Sequence, residues 1–377
     1  MALACGLIVA NIYYAQPLIG PISNSLGLSP EAAGLIVTMS QIGYGLGLLL
    51  VVPLGDLFEN KKLVLISVGI CAVSLLGAAT AHSAGPFLIS ALFIGVGSVA
   101  VQMLIPLASH LAPPGQAGRV IGNLLGGLMF GIMLARPLSG IVTQLGSWHT
   151  IFYLSAACMV IVFVLLYRAL PVRKPTSKLS YGELIGSMLS MMFTLPVLRR
   201  RALYHACLFG TFSLFWTTIP LLLASPLFNL DQAQIAMFAL AGVAGAIAGP
   251  IAGRLADKGW IRPATGLAMF AVAIAYLLTQ FVHRGSNAEL GLLTFAAILL
   301  DFGVAANLTL GQRALFALKP EHRSRLNGMY MSTFFVGGAL GSGIGAWSFS
   351  HSGWSMTAWI GFSLPAAALL YFMTERK

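Results

Sequence analysis

Long apolar runs divide the chain, and few polar residues interrupt them. Each run is about 20–25 residues long, enough to cross a bilayer as a helix. The runs are rich in Leu, Gly and Ala and do not alternate apolar with polar positions. Backbone polar groups in hydrocarbon are satisfied only in helices or closed barrels. A barrel would show alternating segments of about ten residues. The pattern therefore predicts twelve helical spans, at roughly 1–23, 31–54, 62–81, 86–111, 119–145, 149–170, 201–225, 233–256, 263–282, 288–310, 327–349 and 356–373. Residues 1–20 lack the basic n-region of a signal peptide and read as the first span.

Composition agrees with this pattern. The chain is 58% hydrophobic and 8% charged, with a mean hydropathy of +0.89; soluble domains carry about 25% charged residues. The fold class expected is an all-α membrane protein with twelve transmembrane helices.

The net charge of +11 reports topology rather than a nucleic-acid partner. All lysines and arginines except Arg136 and Arg284 fall on one face of the predicted path. The positive-inside rule makes that face, with both termini, cytoplasmic. The expected location is a bacterial-type inner (plasma) membrane, where the basic face meets anionic lipid. The four cysteines are scattered without a C-x-x-C, so neither a metal site nor a disulfide framework is expected. H-E-x-x-H, G-x-S-x-G and the ATP-binding loop are also absent, so no enzyme activity or cofactor is expected.

The chain repeats itself. An offset of 206 residues carries "RVIGNLLGGLMFG" (119–131) onto "RLNGMYMSTFFVG" (325–337), matching Arg119 with Arg325 and Gly122 with Gly328. The same offset carries Trp148 onto Trp354. Two six-helix halves follow, 1–170 and 201–377, joined by a basic link over 171–200. Within the link, "YGELIGSMLSMMF" (181–193) has an apolar stripe at helical spacing and is expected on the inner membrane surface. Parallel six-helix repeats of this kind organise the major facilitator superfamily.

The turn "GRLADKGWIRP" (253–263) resembles that superfamily's signature between spans two and three, and "VPLGDLFENKK" (52–62) is a degenerate first-half copy. "GIMLARPLSG" (131–140) followed by "GSWHTIFYL" resembles span five of the bacterial drug–proton antiporter branch. "RSRLNGMYMSTFFVGGALGSGIG" (323–345) resembles span eleven of the same efflux-like group. The resemblance implies a monomeric secondary transporter exporting a small organic compound in exchange for protons. One departure stands out: Ala91 and Ile94 occupy span four positions where proton-coupled members often carry Arg and Gln.

Two charged residues lie deep in the spans, Arg136 in the fifth and Asp301 in the tenth. A charge at the bilayer centre costs about 3 kcal/mol on insertion scales. Their counted depths differ by about 6 Å, which an arginine stem can bridge. In the superfamily these spans pack near one another, so the two are expected to meet across the halves. Burial favours the neutral acid and a nearby cation favours the carboxylate. Asp301 is therefore the candidate proton carrier and Arg136 its modulator; a permanent ion pair orienting the halves is the alternative.

Other polar and aromatic residues mark a candidate substrate cavity: Asn11, Tyr14, Gln16, Gln41, Tyr44, Gln102, Phe212 and Trp216. Few polar groups among aromatics suit a partly apolar ligand. His205 lies near the basic link and is expected at the interface. Gly127-x-x-x-Gly131 and Gly245-x-x-x-Gly249 are expected to give spans five and eight rocking surfaces. Asp56 and Asp257 end their spans on the basic face. They are expected as conformational latches, Asp56 on the start of span eleven near Arg325 and Asp257 on the start of span five near Arg119. The residues leave open an importer or uncoupled facilitator on the same fold. A channel or membrane-embedded enzyme fits less well.

Overall fold

The computed structural model describes residues 1–111, 113, 117–172, 180–318 and 323–375; within these, the side chains of 109, 110, 117–119, 244, 246, 323 and 324 lie outside the description. Among the described residues the chain is helical and contains no strand. The twelve expected spans are present. Several are assembled from more than one helix, because glycine, proline or a polar residue interrupts the run.

The first span is α1 (Ala2–Ala10), a turn over 11–15, a short 3₁₀ stretch Gln16–Leu18, and α2 (Ile19–Leu26). Pro17 has no N–H to continue the ladder, and the break lies just ahead of it, over residues 11–15. The second span is α3 (Leu35–Leu46), which loosens to a π turn and closes on the 3₁₀ stretch Val52–Asp56 at Pro53. Next come α4 (Asn60–Ala79), α5 (Ala84–Ser98) with α6 (Ala100–Leu111), α7 (Ala117–Leu145) and α8 (Trp148–Ala169). The link contributes α9 (Tyr181–Thr194). The remaining spans are α10 (Pro196–Ala224), α11 (Gln232–Ala239) with α12 (Gly245–Asp257), α13 (Ile261–Thr279), α14 (Asn287–Phe316) and the helical run α15 (Arg323–Met373). That last run is two spans. It breaks at Gly353, where φ is 66°, a left-handed conformation that glycine alone adopts freely.

Sequence signals set the helix starts. Ser180–Glu183, Asp231–Gln234 and Ser286–Glu289 are capping boxes opening α9, α11 and α14. The Ser180 backbone N–H holds the exposed Glu183 carboxylate below its usual range. α9 is tied to the ends of the second and eleventh spans: the Tyr181 hydroxyl donates to the Leu50 carbonyl, and Arg325 donates to Ser187.

Small residues let the spans approach closely. A Cβ on Gly43 of α3 would fall on the Leu92 carbonyl oxygen of α5. Backbone cannot yield as a side chain tip can, so Gly43→Ala should destabilise the protein by about 2–3 kcal/mol, the upper range for overpacking. Thermal unfolding in detergent, compared with wild type, measures it.

Among the described residues, spans of the first and second halves touch at the face opposite the basic one. There Thr38 of α3 bonds Ser342 of α15 at 2.6 Å between oxygens. Gly34 sits against the Ser342 backbone, and Gly140 of α7 against Ala236 of α11. The expected rocking glycines behave differently. Gly127 and Gly131 pack on Ala2 and Gly6 of α1, and Gly245 and Gly249 pack on α14 at Asp301 and Thr309. Both motifs therefore build contacts within a half, because these faces of α7 and α12 look toward their own neighbours. Gly140 meets the other half instead.

Candidate functional site

Arg136 and Asp301 meet in the interior, as their counted depths predict. Arg136 Nη1 lies 4.0 Å from Asp301 Oδ2, and the two residues are 2% and 6% exposed. The distance fits an ion pair without a hydrogen bond. Each is held mainly by something else. Trp216 Nε1 of α10 donates to Asp301 Oδ1 at 2.9 Å. Arg136 Nε donates to Gln16 Oε1 at 2.7 Å.

Three aromatic rings surround the guanidinium. Its carbon lies 4.2 Å from the Trp216 ring centroid, 5.0 Å from Phe212 and 5.4 Å from Tyr13. Cations are attracted to such faces, more strongly when desolvated. Gly242, in the 3₁₀ stretch between α11 and α12, closes the remaining side. A Cβ there would meet Asp301 Oδ2 at 2.6 Å, Arg136 Nη1 at 3.1 Å and the Trp216 ring at 3.3 Å. Five spans thus contribute to one site: the first, fifth, seventh, eighth and tenth.

The break in the first span explains part of this geometry. Because residues 11–15 leave the α-helical path, Tyr13 and Gln16 both reach Arg136. Of the two adjacent tyrosines, Tyr13 joins the site, whereas Tyr14 is buried elsewhere, near Ser155 of α8. Tyr14 was the tyrosine expected in the cavity, and the structure brings its neighbour Tyr13 there instead.

The remaining expected cavity residues are spread out. Asn11 bonds within its own half: it accepts from Ser155 and donates to the Ile8 carbonyl at 3.0 Å. That is interhelical packing rather than a ligand contact. Tyr44 accepts from Gln102 at 3.1 Å and packs on the Phe335 ring, 4.4 Å between centroids. Gln41 donates to Ser213 at 2.8 Å, joining α3 to α10 across the halves.

His205 is not interfacial. α10 begins at Pro196, so the three arginines 199–201 are already helical and His205 lies well inside. It is fully buried, bonded to Asn307 at 2.9 Å and stacked between Tyr330 and Phe334. Counting from the end of the basic cluster misplaced it.

The expected latches end their spans at the basic face, away from Arg136 and Asp301. Asp257 pairs with Arg313 of α14, 3.5 Å apart and largely exposed. Arg325 bonds the link helix through Ser187. Both partners lie close on neighbouring helix ends, so these bonds need no approach of the two halves at that face. Asp56 closes its 3₁₀ stretch half-buried, and the Arg119 side chain lies outside the described residues.

No group of three or more His, Cys, Asp or Glu able to hold a metal occurs among the described residues. What the central site offers instead is a buried charge pair, an aromatic cage and hydrogen-bond donors, which are the parts of a binding site.

Comparisons with known proteins agree with that character. The family model for the Major Facilitator Superfamily matches residues 1–283 and 228–377. The uncharacterized transporter YgaY of Escherichia coli O157:H7 is 37% identical over 370 residues, covering 98% of this chain and 93% of that protein. The 3-(3-hydroxy-phenyl)propionate transporter of Escherichia coli (strain K12) is 29% identical over 331 residues, covering 86% of this chain and 78% of its own length. Among solved structures, the nucleoside transporter NupG superposes with a TM-score of 0.80 at 15% identity, covering 100% of this chain and 99% of that one. At that identity the likeness concerns the fold.

Proposed function

The chain belongs to the major facilitator superfamily, and from that premise we propose that it is a proton-coupled secondary transporter of a small organic compound. Its halves, 1–170 and 201–377, rock about the central site, and the link 171–200 rides on the basic, cytoplasmic face of the inner membrane. Asp301 carries the proton and Arg136 sets how readily it is released. The observation that carries this reading is the buried Arg136–Asp301 approach across the halves, 4.0 Å apart with no hydrogen bond between them. A structural pair would be expected to close to a charge-assisted bond of about 2.7–2.9 Å.

The contacts at the opposite face support a carrier that opens toward the basic face. In that state Asp257 and Arg325 keep partners nearby, and we assign their latch contacts to the opposite state. Export by proton exchange is the direction that the drug–proton antiporter resemblance implies. Import with a co-transported proton is the second reading, favoured by the unbonded Nη2 edge of the buried Arg136.

The test is reconstitution of the purified chain into proteoliposomes carrying an internal pH dye. A cargo gradient should move protons, and an imposed pH gradient should drive cargo uphill. Cargo flux that is saturable but leaves the internal pH unchanged overturns coupling and leaves a facilitator.

A further inference from the structure

Two buried donors at the central site have no partner. Arg136 Nη2 and Gln16 Nε2 are both without a hydrogen bond, on residues 2% and 1% exposed. Buried polar groups are almost always satisfied, so each exception needs a cause. These two are linked, because Gln16 already spends its oxygen on Arg136 Nε. What remains at that place is one amide N–H group and one edge of a guanidinium. Both are donors, and the nearest carboxylate, Asp301, bonds Trp216 instead.

We infer that the cargo is an organic anion, whose carboxylate docks on Arg136 Nη2 and Gln16 Nε2 with its apolar body among Tyr13, Phe212 and Trp216. The inference deepens the proposed function and rests on that reading of the site. The aromatic rings sit within cation–π range of the guanidinium, and a carboxylate is the acceptor that matches its planar fork. At Arg136 Nη2 and Gln16 Nε2 themselves a cationic group would meet only donors. The donors are closed off in this state, so cargo reaches them when the halves part, as alternating access requires.

Charge balance then ties the anion to the proton. The charged and titratable groups facing Asp301 are Arg136 from α7 and Tyr13 from the first span; Trp216 of α10 and Gly242 and Gly245 beside α12 carry no charge. Empty, the site is neutral as Arg136 cation and Asp301 carboxylate. Loaded with an anion, it is neutral only if Asp301 also holds a proton. The two mixed states leave a net buried charge, which a low-dielectric interior disfavours. Anion and proton therefore travel together, one for one, and the proton gradient pulls the anion inward.

Equilibrium binding by calorimetry on the full chain in detergent tests this with 3-phenylpropionate, its primary amide and 3-phenylpropylamine, alongside acetate and benzoate. The acid should bind at least ~10-fold more tightly than the amide, since a site built to pair a group rejects the analogue lacking it. The amine should not bind. Between about pH 6 and 9 the Kd of the acid should rise ~10-fold per pH unit once Asp301 must take up a proton to admit it. Asp301→Asn should flatten that slope. Arg136→Gln should abolish the preference for the acid, and Arg136→Lys should restore part of it. If Arg136→Gln does not fold, Gln16→Leu and the wild-type acid–amide comparison decide. An amide that binds as well as the acid, or no carboxylate binding at any pH, overturns the inference while leaving proton coupling of some other cargo standing. Conversely, acid-selective binding on Arg136 without proton movement in vesicles retains the anion site and removes the coupling.

Discussion

Asp301→Asn should reduce pH-driven accumulation to the level of empty vesicles. A one-unit gradient stores about 1.4 kcal/mol per proton, worth ~10-fold accumulation at one proton per cargo, and an amide cannot carry that proton. Exchange of labelled for unlabelled cargo should persist. The amide oxygen can still accept from Trp216 Nε1, which lies 2.9 Å from Asp301 Oδ1. The amide nitrogen would face Arg136 Nη1, donor toward donor, at a separation near the present 4.0 Å. That leaves Arg136 as a buried cation without its counterion. A guanidinium does not deprotonate in proteins, so the cost stays with the fold, about 3–5 kcal/mol when one partner of a buried pair is removed.

Arg136→Ala should behave differently. It leaves an acid that can neutralise itself by taking a proton, so it should unfold at a higher temperature than Asp301→Asn. Losing the cation makes proton release harder, so whatever transport remains without the Arg136 docking group should have its pH profile moved toward alkaline values. Melting curves and pH–rate profiles of both variants measure the asymmetry. Full pH-driven accumulation by Asp301→Asn would remove this residue from coupling.

This pair was legible in the sequence for a physical reason. A lone charge in an apolar run is costly, so it needs a partner, and only one acid and one base lay at comparable depth. The spans were legible for a related reason: length and apolar content are nearly all that a bilayer demands. What could not be read was rotation about each helix axis. Tyr13 faces Arg136, and Tyr14 turns toward Ser155 of α8. Gly127 and Gly131 turned toward α1 rather than the other half. Trp216 lay on an expected cavity face, yet its bond to Asp301 depends on how α10 and α14 approach one another. Asp257 ends its span and Arg325 opens its own at the basic face, as expected, but their partners depend on which face is closed.

A disulfide across the sealed face should stop transport altogether. Thr38 and Ser342 place their hydroxyl oxygens 2.6 Å apart, on α3 of the first half and α15 of the second. Sulfur atoms at those positions are near the ~2.05 Å that a disulfide needs, after a small rotamer adjustment. The native cysteines Cys5, Cys71, Cys158 and Cys207 would first be replaced by serine or alanine. In that background, Thr38→Cys with Ser342→Cys should transport when reduced and fall below ~5% of that rate when oxidised, because a carrier whose site is exposed to one side at a time cannot cycle with one face pinned. Reduction should restore the rate, which separates a lock from damage. Cargo binding from the basic face should survive oxidation, since only the opposite face is tied. If instead oxidised protein transports at the reduced rate, the halves do not part at that face, and a channel-like path through a fixed structure replaces the rocking carrier.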